Sequence, residues 1–345
     1  MMNKRKLILN TLFLIIVFGI TFYYIFHGQD ISSLLENIKN TDTRYWGLAV
    51  LCVIFFIGSE AVIIFYLMHS IGQKAGLIHC FLYSFAGFFF SCITPSASGG
   101  QPAQIYFMKK DKIPIPVSTL ILMIVTITYK MVLVGLGVIV LIVRPTEIMS
   151  YLEPVLGICY LGLLLNVVCV VFMLMLVFHP TMAQNQLTTI VKILGKVRLI
   201  RRTEHYLRKI EKAMEQYKDV ALYFRTHKIV IWNVLVITTI QRVLLFYITY
   251  LTYQSFGLNK TGFTTIIVLQ GMISVAVDML PLPGGMGISE KLFMSIFTPI
   301  FGSMTLPAMI VSRGFSYYTQ LILSAIFTVV AFFAIGRKSE RKREE

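Results

Sequence analysis

Two apolar stretches of this chain break with the same punctuation: Thr94-Pro95-Ser96-Ala97-Ser98-Gly99-Gly100-Gln101-Pro102 and Leu280-Pro281-Leu282-Pro283-Gly284-Gly285-Met286-Gly287. Proline removes a backbone donor and glycine frees the backbone, so neither run continues a helix. Broken backbone inside a membrane is tolerated only where protein or a water-filled cavity surrounds it. A matched pair of breaks, one in each half of a membrane protein, points to a transport site.

The composition sets these breaks in a bilayer. Apolar residues make up 57% of the 345 and charged residues 14%, a balance foreign to soluble domains. Several apolar runs exceed the roughly 18 residues that mark a spanning helix. The run Leu7 to Phe26 follows Lys4, Arg5 and Lys6. It is too long for a signal core and lacks a small-residue cleavage site, so it reads as an uncleaved first helix. Cys52, Cys80, Cys92, Cys159 and Cys169 all lie in apolar segments without metal-ligand spacing and read as small apolar fillers. No histidine cluster, nucleotide loop or nucleophile motif stands out, so neither a cofactor nor a catalytic residue is expected. Without a nucleotide site, any transport runs downhill or couples to an ion gradient.

Full spans are expected near 7–26, 45–68, 117–143, 152–178, 229–253 and 307–335, with the stretches 78–93 and 263–301 carrying the breaks. Orientation follows from lysine and arginine. With the N-terminus in the cytoplasm, segments 1–6, 69–77, 102–116, 179–228 and 336–345 face inward and hold 23 of the 31 basic residues. Only Lys39, Arg44, Arg144 and Lys260 face outward. Each broken stretch then enters and leaves on one side, the first from the cytoplasm and the second from outside. The fold class that results is all-α: six spans and two opposed re-entrant hairpins, in two units (45–143 and 229–335) of inverted topology. Counting hairpin arms as full spans gives about eight crossings instead, because arm 263–280 is 18 residues long.

The linker 179–228 carries eleven bases against four acids. From Tyr206, apolar residues recur at 207, 210, 213, 214, 217, 220, 221 and 224, which is helical spacing. Such a basic amphipathic helix either lies on the anionic inner leaflet or docks on the protein's own cytoplasmic face. It lacks a recognition motif for nucleic acid.

Seven charges fall at bilayer depth: Glu60, Lys130, Arg242, Asp278, Glu290, Lys291 and Arg313. Charge at that depth is costly and points to function. In the functional reading, Lys130, Arg242 and Arg313 neutralise a phosphate, with arginine suited to bidentate contact. Gly99, Gly100, Gly284, Gly285 and Gly287 at the two tips would offer backbone N–H groups to the same anion. Glu60, Asp278 and Glu290 would pair with the bases when the site is empty, or contact an amine. In the competing reading the charges only lock helices together, and Lys291 can snorkel from a hairpin end. Asn166, Gln241 and Gln270 are expected to hydrogen-bond between helices.

The run Leu280-Pro281-Leu282-Pro283-Gly284-Gly285-Met286-Gly287-Ile288-Ser289-Glu290 resembles the P-x-P-G-G-x-G-x-x-E signature of the lysylphosphatidylglycerol synthase/flippase transmembrane family. Ser98-Gly99-Gly100-Gln101-Pro102, followed by Lys109-Lys110, resembles its first-half Gly-Gly motif. Many relatives carry an acidic residue and an arginine after that Gly-Gly; here Gln101, Pro102, Ala103 and Gln104 stand there. The similarity spans essentially the whole chain. It implies a lipid translocase of the cell membrane, multi-pass with both termini cytoplasmic. The cargo would be a phosphate-bearing lipid such as lysylphosphatidylglycerol, a glycolipid or a polyprenyl-phosphate carrier. The implied partners are the substrate lipid, anionic inner-leaflet lipids and a separate lipid synthase. In bifunctional members a soluble C-terminal domain transfers lysine from lysyl-tRNA to phosphatidylglycerol; here ten residues follow the last expected span, and the transferase is expected to be absent. The alternative is phosphatidylglycerol lysyltransferase activity itself, with its link to cationic-peptide resistance.

Overall fold

The computed structural model describes residues 31–196 and 203–336. The expected first span, 7–26, and the basic tail after Gly336 lie outside the described residues. Within them every regular element is helical. In chain order these are α1 (Ile31–Lys39), α2 (Arg44–Ser70), α3 (Leu77–Cys92), α4 (Gly100–Lys110), α5 (Ile115–Val143), α6 (Thr146–Leu152), α7 (Leu156–Phe178), α8 (Pro180–Lys196), α9 (Thr203–Thr226), α10 (Lys228–Ser255), α11 (Phe263–Val277), α12 (Ile288–Phe301), α13 (Thr305–Arg313) and α14 (Gln320–Ala331).

Five stretches of the described residues are long and apolar enough to cross a membrane: Arg44–Ser70, Ile115–Val143, Thr146–Phe178, Lys228–Ser255 and the composite Pro283–Ile335. The first four contain the expected spans 45–68, 117–143, 152–178 and 229–253; the fifth is a 53-residue composite that runs from the second break through the expected span 307–335. Their ends follow local chemistry. Pro116 sits in the first turn of α5, where its missing N–H costs nothing. At the far end Arg144 turns left-handed (φ 47°) and Pro145 follows, which stops the helix. On α7, Leu161, Leu164, Val168 and Phe172 are exposed. A large outward apolar face of this kind is the surface a bilayer solvates.

The arms beside the breaks are shorter. α3, α4, α11 and α12 have 16, 11, 15 and 14 residues. At 1.5 Å per residue they reach about 17 to 24 Å, against a hydrocarbon core of roughly 30 Å. Each pair packs arm against arm and exchanges partners with the other half of the chain. α3 packs on α2 and on α14; α11 packs on α10 and on α5. The contact between α2 and α10 joins the halves. Gly100 explains the tight first pair: a Cβ there would lie 2.1 Å from Ser91 Oγ and 2.8 Å from the Gly87 carbonyl oxygen.

The amphipathic helix α9 docks on the protein itself. Met214, Tyr217, Ala221 and Phe224 are buried against α5 and its neighbours, and the Tyr217 hydroxyl donates to the Leu176 carbonyl at 3.1 Å. The protein itself thus covers this apolar face, the arrangement that the second reading of the linker describes. Arg208, Lys212, Lys218 and Arg225 stay on the exposed side.

Candidate functional site

The two breaks meet. The 3-10 turns Pro95–Ala97 and Pro283–Gly285 pack together, and Ser96 Oγ donates to the Leu280 carbonyl at 3.2 Å across 184 residues of chain. In the first tip the left-handed positions are Ser96 (φ 49°) and Ala97 (φ 54°), not glycines. Side chains there store strain of about 1–3 kcal/mol each. Thr94 Oγ1 binds the turn by accepting from Gly99 N–H at 2.8 Å and donating to the Phe90 carbonyl at 2.6 Å. The Gly99 amide is therefore engaged, and Gly100 serves the close approach of the two arms.

In the second tip Gly284, Gly285 and Gly287 all have positive φ. A Cβ on Gly284 would meet the Tyr317 ring at 2.1 Å. The Gly284 carbonyl accepts from Arg313 Nη2 at 2.9 Å, and Arg313 Nε donates to Glu290 Oε1 at 2.9 Å. Glu290, three residues into its helix cap, reaches back to the Gly287 N–H at 2.6 Å and also accepts from Ser289 Oγ at 3.0 Å. The carboxylate thus occupies the helix start where an external anion was expected. Arg313 lies 4.8 Å over the Tyr317 ring. A π-helical segment, Gly314–Thr319, follows Arg313, a distortion common at functional sites. It aims the Tyr317 hydroxyl at the Cys92 carbonyl of the first hairpin, 2.9 Å away.

A second cluster forms around Lys130. Lys130, 4% exposed, donates to Asp278 Oδ2 at 2.5 Å and Asn166 Oδ1 at 3.2 Å. Asn166 also donates to the Val275 carbonyl at 3.2 Å, joining α7 to α11. Tyr129 presents its ring face to both Lys130 (5.1 Å) and Arg242 (4.5 Å). Phe56 covers Arg242 from another side at 5.2 Å. Glu60, one helical turn beyond Phe56, accepts from Gln104 Nε2 at 2.7 Å. Gln101 bonds to Thr126, holding α4 against α5.

The structure therefore gathers Lys130, Arg242, Asp278 and Glu60 in one group and Arg313, Glu290, Gly284, Gly285 and Gly287 in another. Gly99 and Gly100 belong to the facing tip. Lys291 is exposed. Asn166, Gln241 and Gln270 do hydrogen-bond between helices: Gln241 Nε2 donates to the Phe56 carbonyl and Gln270 Oε1 accepts from Thr249 Oγ1. Sequence reasoning missed Tyr129, Tyr317, Gln104, Ser96 and Ala97 as members of the site. Only Tyr317 left a signal, at helical spacing of four from Arg313.

Helical spans, two broken segments meeting tip to tip and two largely buried ion pairs define a polytopic all-α membrane protein with a charged interior. The family model described as Lysylphosphatidylglycerol synthase TM region matches residues 9–324, and the chain belongs to that family. No curated protein matches it.

Proposed function

We propose that this protein is a lipid translocase that carries the headgroup of a phosphate-bearing lipid past the two tips while the acyl chains stay in the bilayer. The observation that supports it most directly is the tip-to-tip contact of Ser96 with Leu280, flanked by Lys130–Asp278 and Arg313–Glu290. Ionic groups at bilayer depth mark substrate paths, and broken helices are tolerated where they line one. The short arms are read as re-entrant hairpins from opposite faces. The exchange of partners between halves supports an inverted repeat of 45–143 and 229–335. By the placement of lysine and arginine, both termini lie in the cytoplasm and the protein resides in the cell membrane. Cargo candidates are lysylphosphatidylglycerol, a glycolipid or a polyprenyl-phosphate carrier, supplied by a separate synthase.

The test is reconstitution into liposomes carrying a trace of fluorescent phosphatidylglycerol, with dithionite added outside. The protein is expected to expose inner-leaflet label to quenching, and Arg313→Ala to slow it. Quenching confined to the outer leaflet for phosphatidylglycerol, lysylphosphatidylglycerol, glycolipid and polyprenyl-phosphate probes alike would reject translocation. Formation of lysylphosphatidylglycerol from lysyl-tRNA and phosphatidylglycerol by the purified protein would make it a transferase instead.

A further inference from the structure

The three deep cations are not equivalent. Lys130 holds Asp278 and Asn166, and Arg313 holds Glu290 and the Gly284 carbonyl. For either to bind a substrate anion, a buried ion pair must open, which is costly. Arg242 holds no such partner. Its buried Nε has no hydrogen-bond acceptor, and among the described residues no carboxylate pairs with it. Asp278 and Glu60 are close enough to act on it electrostatically, but neither forms an ion pair with it; Asp278 Oδ2 bonds Lys130 and Glu60 Oε1 bonds Gln104.

The surroundings of Arg242 orient it. It is the fifteenth of the 28 residues of α10, about 21 Å from the helix start, hence near mid-membrane. The adjacent Gln241 ties α10 to the Phe56 carbonyl at 2.9 Å. The rings of Tyr129 and Phe56 lie against the guanidinium. Aromatic faces attract the cation without using its N–H donors. The result is a fixed, planar, cationic fork, and that geometry matches a phosphate oxyanion.

The geometry points to Arg242, held by Tyr129 and Phe56, as the docking group for the phosphate of the transported headgroup, with Lys130–Asp278 and Arg313–Glu290 as clasps that close the second tip over it. This assignment rests on the lipid-translocase reading. Arg242 is the cation that can receive an anion without first surrendering a protein partner, so docking precedes opening of the clasps.

The full chain in detergent is titrated with dioctanoyl phosphatidylglycerol, with dioctanoylglycerol, which lacks the phosphate, and with inorganic phosphate, using native mass spectrometry. Wild type is expected to prefer the phospholipid to the glyceride by about 10-fold or more, the worth of one charge-assisted contact. Arg242→Gln should erase that preference and Arg242→Lys should keep part of it. Phe56→Leu and Tyr129→Leu, which retain the charge, should weaken it several-fold. An unchanged preference in Arg242→Gln overturns the assignment. If that variant does not fold, an unchanged preference in Phe56→Leu and Tyr129→Leu does so. Where wild type translocates lipid and the variants bind as wild type, the docking assignment falls and the translocase reading stands. Arg242-dependent binding of inorganic phosphate as tight as that of the phospholipid overturns the lipid source and the translocase reading with it.

Discussion

Asp278→Asn tests whether the clasp on the second tip is a true buried ion pair. The change is nearly isosteric and leaves Lys130, 4% exposed, facing a neutral amide at a position where Nζ and Oδ2 are 2.5 Å apart. Removing one partner of a buried pair costs about 3–5 kcal/mol because the remaining charge is uncompensated. Two features place this site at the lower end. The Asp278 side chain is 20% exposed, and Asn166 Oδ1 with the Tyr129 face still receives the ammonium. The expected loss is about 3 kcal/mol, or roughly 150-fold in the folded-to-unfolded ratio. Replacing both partners, Lys130→Met with Asp278→Leu, removes the buried charge altogether and should return stability to within about 1 kcal/mol of wild type. Reversible unfolding in mixed detergent–dodecyl sulfate micelles, followed by fluorescence of the two tryptophans, Trp46 and Trp232, reads both values. The double-mutant cycle should give a coupling energy of at least about 2 kcal/mol. Additive effects, or a cost below about 1 kcal/mol for Asp278→Asn, would show that the pair is open to water and would refute the clasp.

Gly284→Ala adds a Cβ 2.1 Å from the Tyr317 ring at φ +56°, whereas Gly257→Ala, at φ +71°, meets nothing within 4 Å. The first should cost about 1–3 kcal/mol more than the second in the same unfolding assay, and it should slow translocation by displacing Tyr317 from the Cys92 carbonyl. Ala97→Gly relieves a left-handed alanine and should stabilise the fold by up to about 1 kcal/mol; a loss of stability would mean the first tip is not strained. Burial pushes the Tyr217 phenol up to about 12, above its ordinary value near 10. Folding favours the neutral form, so docking of α9 is fully present below about pH 10 and lost as pH rises toward about 12. Limited proteolysis of the linker against pH should show this onset, and Tyr217→Phe should remove it.

Depth along a helix is a one-dimensional property, and the chain alone determines it. The 1.5 Å rise per residue places Glu60, Lys130 and Arg242 near the middle of their spans before any contact is known. Proline and glycine forbid continuous helix at 94–102 and 280–287 for equally local reasons. The apolar spacing of 206–224 likewise marks an amphipathic helix, and its spacing leaves two surfaces to choose between.

Partnership is three-dimensional, and only the tertiary structure decides it. Lys130 and Asp278 are 148 residues apart, and no spacing rule joins them. Packing of α11 on α5 does. Gln104 of α4 gives Glu60 of α2 a hydrogen bond, and Arg242 lies between two rings, within reach of carboxylates but in no ion pair with them. The first tip carries its left-handed backbone at Ser96 and Ala97, while Gly99 and Gly100 stay helical. Close approach of α3 and α4 claims the glycine at position 100, and contact with Leu280 sets the turn. Charge at depth is costly whatever its neighbours, which makes it legible in sequence. Its cost is lowered only by groups that other helices bring, and those arrive with the fold.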